Sequence, residues 1–92
     1  DIDFWGNELT LHQTKMKLPR ERHDVDMGNV PVPHFGVHLK KEAFNHIKSN
    51  LKNNNIKYID KPYTRFKGTK FQQNTFFIED PNGNVLELKT FE

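Results

Sequence analysis

The sequence predicts one small α+β domain, and three observations carry this prediction. Apolar and polar residues alternate in several short runs, which is the pattern of half-buried strands. Segment 41–53 instead repeats apolar residues at helical spacing. The chain has 92 residues, 34% of them hydrophobic and 12% aromatic, which suffices for one modest core and leaves no room for a second domain. We therefore expect a single α+β domain over residues 1–92.

The first third of the chain predicts a hairpin and then a loop. In segment 1–13, Ile2 and Phe4 alternate with polar residues, and Gly6-Asn7 is a turn signal. Segment 14–33 is charged, contains three prolines and has no regular apolar period. It predicts a surface loop of about twenty residues, and two interpretations stay open: a lid over a site or a mobile surface segment.

The remainder, 34–92, predicts the order strand, helix, strand, strand, strand. The strands are predicted at 34–39, 56–59, 74–79 and 84–89, the helix at 41–53, and a loop at 63–73. Asp80-Pro81-Asn82-Gly83 is a strong turn signal between the last two strands. Along the first strand, alternation places Phe35, Val37 and Leu39 on one face and His34, Gly36 and His38 on the other.

Composition excludes several classes of protein. The formal net charge is only +2, so we expect no nucleic-acid partner. No apolar run approaches the length of a membrane span. The chain has no cysteine, which excludes disulfides, thiolate zinc sites and cysteine nucleophiles and fits a cytoplasmic protein. The one serine, Ser49, falls on the predicted helix, and the five glycines are scattered, so neither a serine hydrolase nor a phosphate-binding loop is expected.

Three residues on separate predicted strands are candidates for metal ligands. Glu87 lies between apolar residues, where it is either a half-exposed glutamate bridged to a lysine or a carboxylate that coordinates a metal. His34 follows Pro33 at the start of its strand and His12 lies on the polar face of its hairpin, and each is either a structural histidine or a ligand. Two histidines and one carboxylate form the ligand set of non-heme iron sites, and zinc or nickel use the same set.

Basic residues also alternate with aromatic rings in one segment. The run is Tyr63-Thr64-Arg65-Phe66-Lys67. Such a run predicts contacts to an anionic or aromatic ligand, and a solvated loop with buried rings accounts for it equally well.

The segment TFFIEDPNGNVLELK at 75–89 resembles the closing hairpin of the vicinal oxygen chelate superfamily, which includes glyoxalase I, bleomycin and fosfomycin resistance proteins and extradiol dioxygenases. The superfamily pattern is an aromatic strand, the turn Asp-Pro-x-Gly-Asn and a strand with a metal-binding glutamate, here Glu87. Three other segments resemble one subgroup, the predicted dioxygenases of the extradiol dioxygenase family. These are FWGNEL at 4–9 followed by His12, VPVPHFGV at 30–37 and PYTRFKG at 62–68.

This resemblance implies the glyoxalase/bleomycin-resistance/dioxygenase fold, in which βαβββ modules form a curved mixed sheet around one metal site. It divides the chain into the end of a first module at 1–13, a loop at 14–33 and a second module at 34–92. The opening strand and helix of the first module are missing from the sequence, so we expect the chain to be incomplete upstream.

The resemblance also implies roles for individual residues. His34 becomes the first-strand metal ligand of the second module and Glu87 its last-strand ligand. His12 lies at the last-strand position of the first module, where glyoxalases place a ligand. The expected substrate contacts are Tyr63, Arg65 and Gln73.

The activity that the resemblance favours is that of a metal-dependent dioxygenase-like enzyme acting on a small diol or aromatic substrate. Fe(II) is the expected metal, with nickel, zinc or manganese as alternatives. Two other functions stay open: a glyoxalase-type lyase or isomerase, and a metal-free resistance protein that binds a small molecule. A homodimer is the expected assembly.

Overall fold

The structure, a computed structural model, describes residues 1–16, 19–25 and 28–91. Within these ranges the chain forms eight strands and one helix. The elements are β1 (Ile2–Phe4), β2 (Asn7–Leu9), β3 (Glu21–Val25), β4 (Gly28–Val32), β5 (Phe35–His38), α1 (Lys41–Asn53), β6 (Asp60–Arg65), β7 (Gln73–Glu79) and β8 (Val85–Phe91). Hairpins β1-β2 and β3-β4 are separate two-stranded sheets, and the other four strands form one sheet in the order β5-β8-β7-β6.

The four-stranded sheet is mixed and is organised by its closing hairpin. Strand β5 runs parallel to β8, whereas β7 runs antiparallel to both β8 and β6. Gly83 has φ of 88° in the turn between β7 and β8, a conformation that glycine adopts without strain. The resulting register pairs Phe76 with Leu88 and Phe77 with Glu87. Because side chains alternate across a strand, this register decides which residues share a face.

Helix α1 packs against one face of this sheet, which we call the helix face. Its range, Lys41–Asn53, confirms the predicted helix. Phe44 and Leu51 of α1 are buried against Phe76 and Leu88 of the sheet. Each such buried side chain stabilises the fold by about 1.5–3 kcal/mol. In the described ranges, no helix is long and apolar enough to cross a membrane.

The opposite side of the sheet, which we call the distal face, carries the other set of alternating side chains. Its members on β7 and β8 are Gln73, Thr75, Phe77, Glu79, Val85, Glu87, Lys89 and Phe91. Hairpin β3-β4 covers one end of this face, because Val30 is buried against Phe77 and Val85. The rest of the face is lined mainly by polar side chains.

The prediction of an irregular loop over 14–33 is wrong in its second half, where β3 and β4 form a hairpin. Residues 17, 18, 26 and 27 of the predicted loop, and residue 92, lie outside the described residues. The hairpin is held by partners distant in sequence. Arg20 lies 2.6 Å from Glu79, and Arg22 lies 2.8 Å from Asp60. These contacts leave no periodic signal in the sequence.

Strand β6 is also displaced from its prediction. The strand expected at 56–59 is irregular, and the loop expected at 63–73 begins inside β6, which ends at Arg65. Pro62 is unfavourable inside a central strand, because proline cannot donate a hydrogen bond to the neighbouring strand. However, β6 is an edge strand whose pairing with β7 is irregular between Asp60 and Tyr63, and a proline is tolerated at such a position.

Candidate metal and ligand site

His34 and Glu87 meet on the distal face although they are far apart in the sequence. The parallel pairing of β5 with β8 sets Gly36 beside Glu87, and His34 immediately precedes β5. Nε2 of His34 lies 3.9 Å from Oε1 of Glu87. The side chain of Glu87 is 9% exposed and that of His34 25%. The two predicted ligands of the second module therefore share one partly buried site.

Hydrogen bonding determines which nitrogen of His34 faces the carboxylate. Nδ1 lies 2.7 Å from the carbonyl oxygen of Pro31. A carbonyl oxygen only accepts hydrogen bonds, so Nδ1 carries the proton and donates it. In the neutral ring, Nε2 then keeps its lone pair and points it toward Glu87. The His34 ring also packs edge-on against Phe77, with 5.1 Å between ring centroids, which restricts its orientation.

Two side chains lie near the carboxylate of Glu87, and a third residue packs against its backbone. The hydroxyl of Thr75 lies 3.4 Å from Oε2 and 3.2 Å from the carbonyl oxygen of Leu88. Nζ of Lys89 lies 3.6 Å from Oε1. On the β5 side, a Cβ atom added at Gly36 would lie 2.8 Å from Cβ of Glu87 and would overlap its carbonyl oxygen. Only glycine therefore allows β5 to approach Glu87 this closely.

The three predicted substrate contacts lie on the same face of the sheet as this pair. Tyr63 pairs with Thr75, and Arg65 pairs with Gln73, so all three predicted residues border one stretch of the sheet. Gln73 is only 9% exposed, and its Oε1 has no hydrogen-bond partner among the described residues. The buried hydroxyl of Tyr63 has none there either. Burial raises the pKa of Tyr63, while Arg65 acts in the opposite direction. The hydroxyl therefore stays protonated at neutral pH.

Lys89 and His38 are members of this face that sequence reasoning did not place in the site. The sequence did contain a signal for Lys89: it lies two residues after Glu87 on β8, and residues two apart on a strand lie on the same face. His38 pairs with Lys89 and stacks on Phe91, with 4.2 Å between the ring centroids. Burial and then the charge of Lys89 lower the pKa of His38, against the opposing effect of Glu87.

His12, the third predicted ligand, is not brought to the pair. It is exposed and follows β2, which ends at Leu9. Among residues 1–16, 19–25 and 28–91, no group of three histidine, cysteine, aspartate or glutamate side chains could hold a metal ion. The structure thus assembles two of the three donors.

Two surface depressions of about 510 and 190 Å³ lie along α1, and His34 and Glu87 line neither of them. The larger is lined by Asn45, Lys48, Ser49, Lys52, Ile56 and Tyr58. Both are open to solvent. The distal face is therefore the candidate site because it brings an imidazole and a carboxylate together, and not because it forms a cavity.

Comparison with solved structures identifies the fold of the chain. The chain is similar to a glyoxalase/bleomycin resistance protein/dioxygenase from Alicyclobacillus acidocaldarius, with a TM-score of 0.72 and 29% sequence identity. The similarity covers 97% of this chain and 63% of that protein, so this chain spans less than two thirds of its relative's length. No protein-family model and no curated protein matches the sequence.

Two weaker similarities complete the comparison. A virulence protein from Salmonella typhimurium has a TM-score of 0.46 and 21% identity over 62% of this chain and 45% of its own. A protein from the mobile metagenome of V. Pseudocholerae has a TM-score of 0.49 and 18% identity over 88% of this chain and 59% of its own. The Alicyclobacillus structure alone carries the assignment: with one helix and a curved mixed sheet, this chain has the glyoxalase/bleomycin resistance/dioxygenase fold.

Proposed function

We propose that His34 and Glu87 supply two ligands to a divalent-metal site, and that the protein is a dioxygenase-like enzyme of the vicinal oxygen chelate type. The proposed substrate is a small diol or aromatic molecule, and Fe(II) is the proposed metal. Similarity to the Alicyclobacillus glyoxalase/bleomycin resistance protein/dioxygenase supports this class of protein. The choice of a dioxygenase within the class comes from the resemblance of the segments at 4–12, 30–37 and 62–68 to that subgroup.

The observation that carries the proposal is the orientation of His34. Because Nδ1 donates its proton to the carbonyl oxygen of Pro31, the lone pair of Nε2 is available to a metal ion, and metal-binding histidines use the same arrangement to fix their tautomer. Nε2 lies 3.9 Å from Oε1 of Glu87. Two metal–ligand bonds of about 2.0–2.2 Å each can span this separation. The pair can therefore supply two ligands to one metal ion, and further ligands are needed to complete the site.

The neighbouring side chains are suited to hold an oxygen-rich substrate. Tyr63 keeps its proton and can donate a hydrogen bond to a substrate oxygen. Oε1 of Gln73 can accept one from a substrate hydroxyl. Arg65 presents a planar guanidinium, which pairs well with an anionic group. When bound, a divalent iron supplies Lewis-acid and one-electron chemistry to a diol and dioxygen.

Metal content tests the proposal directly. We would purify the wild-type chain, H34A, E87Q and the control H46A without chelator and measure bound metals by elemental mass spectrometry. His46 is an exposed histidine of α1, so its loss removes an imidazole without touching the distal face. We expect iron in wild type and H46A and little in H34A or E87Q. Oxygen uptake with a panel of catechols then follows for the iron-loaded protein.

Two alternatives predict other results from the same samples. Nickel or zinc bound through His34 and Glu87 would favour a glyoxalase-type lyase or isomerase, which needs no redox-active metal. The absence of metal from all four samples would contradict the proposal and favour a metal-free binding protein. One observation favours that second candidate: Lys89 already gives Glu87 a cationic neighbour at 3.6 Å.

A further inference from the structure

Lys89 places a cation beside the carboxylate oxygen that the proposed metal site requires. Nζ of Lys89 lies 3.6 Å from Oε1 of Glu87, and the same Oε1 faces Nε2 of His34 at 3.9 Å. The other carboxylate oxygen, Oε2, lies near the hydroxyl of Thr75. An ammonium group and a metal ion would therefore compete for one oxygen atom.

The structure also gives the ammonium group a way to leave. Lys89 follows Glu87 by two residues on β8, so both side chains project from the distal face. The side chain of Lys89 is 25% exposed, whereas that of Glu87 is 9% exposed. A lysine with a flexible stem and access to water can move its charge into solvent. The carboxylate cannot do the same.

We propose that Lys89 is an internal counter-cation, which pairs with Glu87 in the metal-free protein and is displaced when a divalent cation binds. This inference rests on the metal site proposed above. A carboxylate as buried as Glu87 is costly to leave unpaired, so Lys89 compensates its charge when the metal is absent. The same ammonium repels an incoming dication. Lys89 therefore lowers the affinity of the site for metal.

The test compares the Co²⁺ affinity of four apoproteins by calorimetric titration: wild type, K89M, K89R and K52M. The first variant keeps the apolar stem and removes the charge, and the second keeps a cation. Lys52 is an exposed residue in the last turn of α1, on the other side of the sheet, so K52M controls for the change in net charge. We expect K89M to bind Co²⁺ about tenfold more tightly than wild type, because one partly exposed charge no longer competes. K89R and K52M should match wild type.

A second measurement uses only the wild-type chain and does not depend on how the variants fold. Amine acetylation is followed by mass spectrometry with and without Co²⁺. If the metal displaces Lys89 from Glu87, the acetylation rate of Lys89 rises relative to that of Lys52. An unchanged ratio, with Co²⁺ demonstrably bound, would contradict the displacement.

The outcomes separate this inference from the proposed function. If wild type binds Co²⁺ and K89M binds it no more tightly, the role of Lys89 is wrong and the metal site stands. Binding by K89M but not by wild type would support the role of Lys89. If none of the four proteins binds Co²⁺, the metal site is wrong and the inference falls with it.

Discussion

The two faces of the sheet are built from alternating residues of the same strands, yet they differ in chemistry and not in burial. Phe76 and Leu88 on the helix face are 0% and 1% exposed. Thr75 and Glu87, their neighbours in sequence, face the other way and, as whole residues, are 0% and 7% exposed. Burial of apolar side chains against α1 stabilises the fold, whereas burial of polar side chains costs free energy unless they are paired. The helix face is apolar at its centre, whereas the distal face combines a smaller apolar cluster under hairpin β3-β4 with the polar candidate site.

The largest expected effect comes from the centre of the helix face. Phe76 contacts the rings of Phe44 and Tyr58 and is fully buried. F76A should reduce the free energy of unfolding by about 3–5 kcal/mol, because it removes apolar contacts and leaves a cavity. Urea denaturation followed by circular dichroism measures this loss. F71A is the control: Phe71 is 58% exposed, and its truncation should change stability by less than about 0.5 kcal/mol.

The next effect tests the contact between β5 and β8 on the distal face. An added methyl group at Gly36 would overlap the backbone of Glu87. G36A should cost about 1–3 kcal/mol in unfolding free energy through overpacking. Because the strain falls on Glu87, Co²⁺ affinity should fall as well. Unchanged stability in urea denaturation would show that the two strands can separate without cost.

A smaller effect tests the turn between β7 and β8, which sets the register that both faces depend on. Asp80 accepts hydrogen bonds from the amides of Asn82 and Asn84 and from the side chain of Asn84. Burial raises the pKa of Asp80, but these hydrogen bonds outweigh that effect and hold its pKa below the usual 3.8. At neutral pH, D80A should lose about 1–2 kcal/mol of stability.

The sign of the pH dependence follows from that lowered pKa. A group whose pKa is lower in the folded state contributes stability above its unfolded value and loses it as pH falls through the folded value. The difference in stability between wild type and D80A should therefore be constant above the usual value of 3.8 and shrink below it. Urea titrations from neutral to acidic pH measure the difference. A gap that widens on acidification would contradict the assignment.

The smallest expected effect on stability comes from replacing one buried threonine on each face. Thr75 on the distal face and Thr90 on the helix face are 0% and 1% exposed. T75V and T90V should each change the unfolding free energy by about 1 kcal/mol or less. Only T75V removes a hydroxyl near Oε2 of Glu87, so only T75V should weaken Co²⁺ binding, by up to about tenfold. Equal Co²⁺ affinities would show that Thr75 does not support the site.

Elements with strong local signals were predicted well. The apolar spacing from Ala43 to Leu51 predicted α1 over its observed range, and the turn signal at 80–83 predicted the closing hairpin within two residues at each end. Both depend on interactions between residues close in sequence. Hairpin β3-β4 was missed because its apolar contact, Val30, packs on distant strands and its charged residues pair with Glu79 and Asp60.

The sequence by itself determined the helix, the closing turn and the alternation that puts Glu87 and Lys89 on one face. The tertiary structure decided which groups meet there. The approach of His34 to Glu87 requires β5 to pair in parallel with β8, although α1, β6 and β7 lie between them in the sequence. The orientation of His34 requires the carbonyl of Pro31. The alternation of apolar and polar residues along one strand predicts which face of the sheet each side chain lies on. It carries no information on the register between strands distant in sequence, and that register is what brings the donors of the candidate site together.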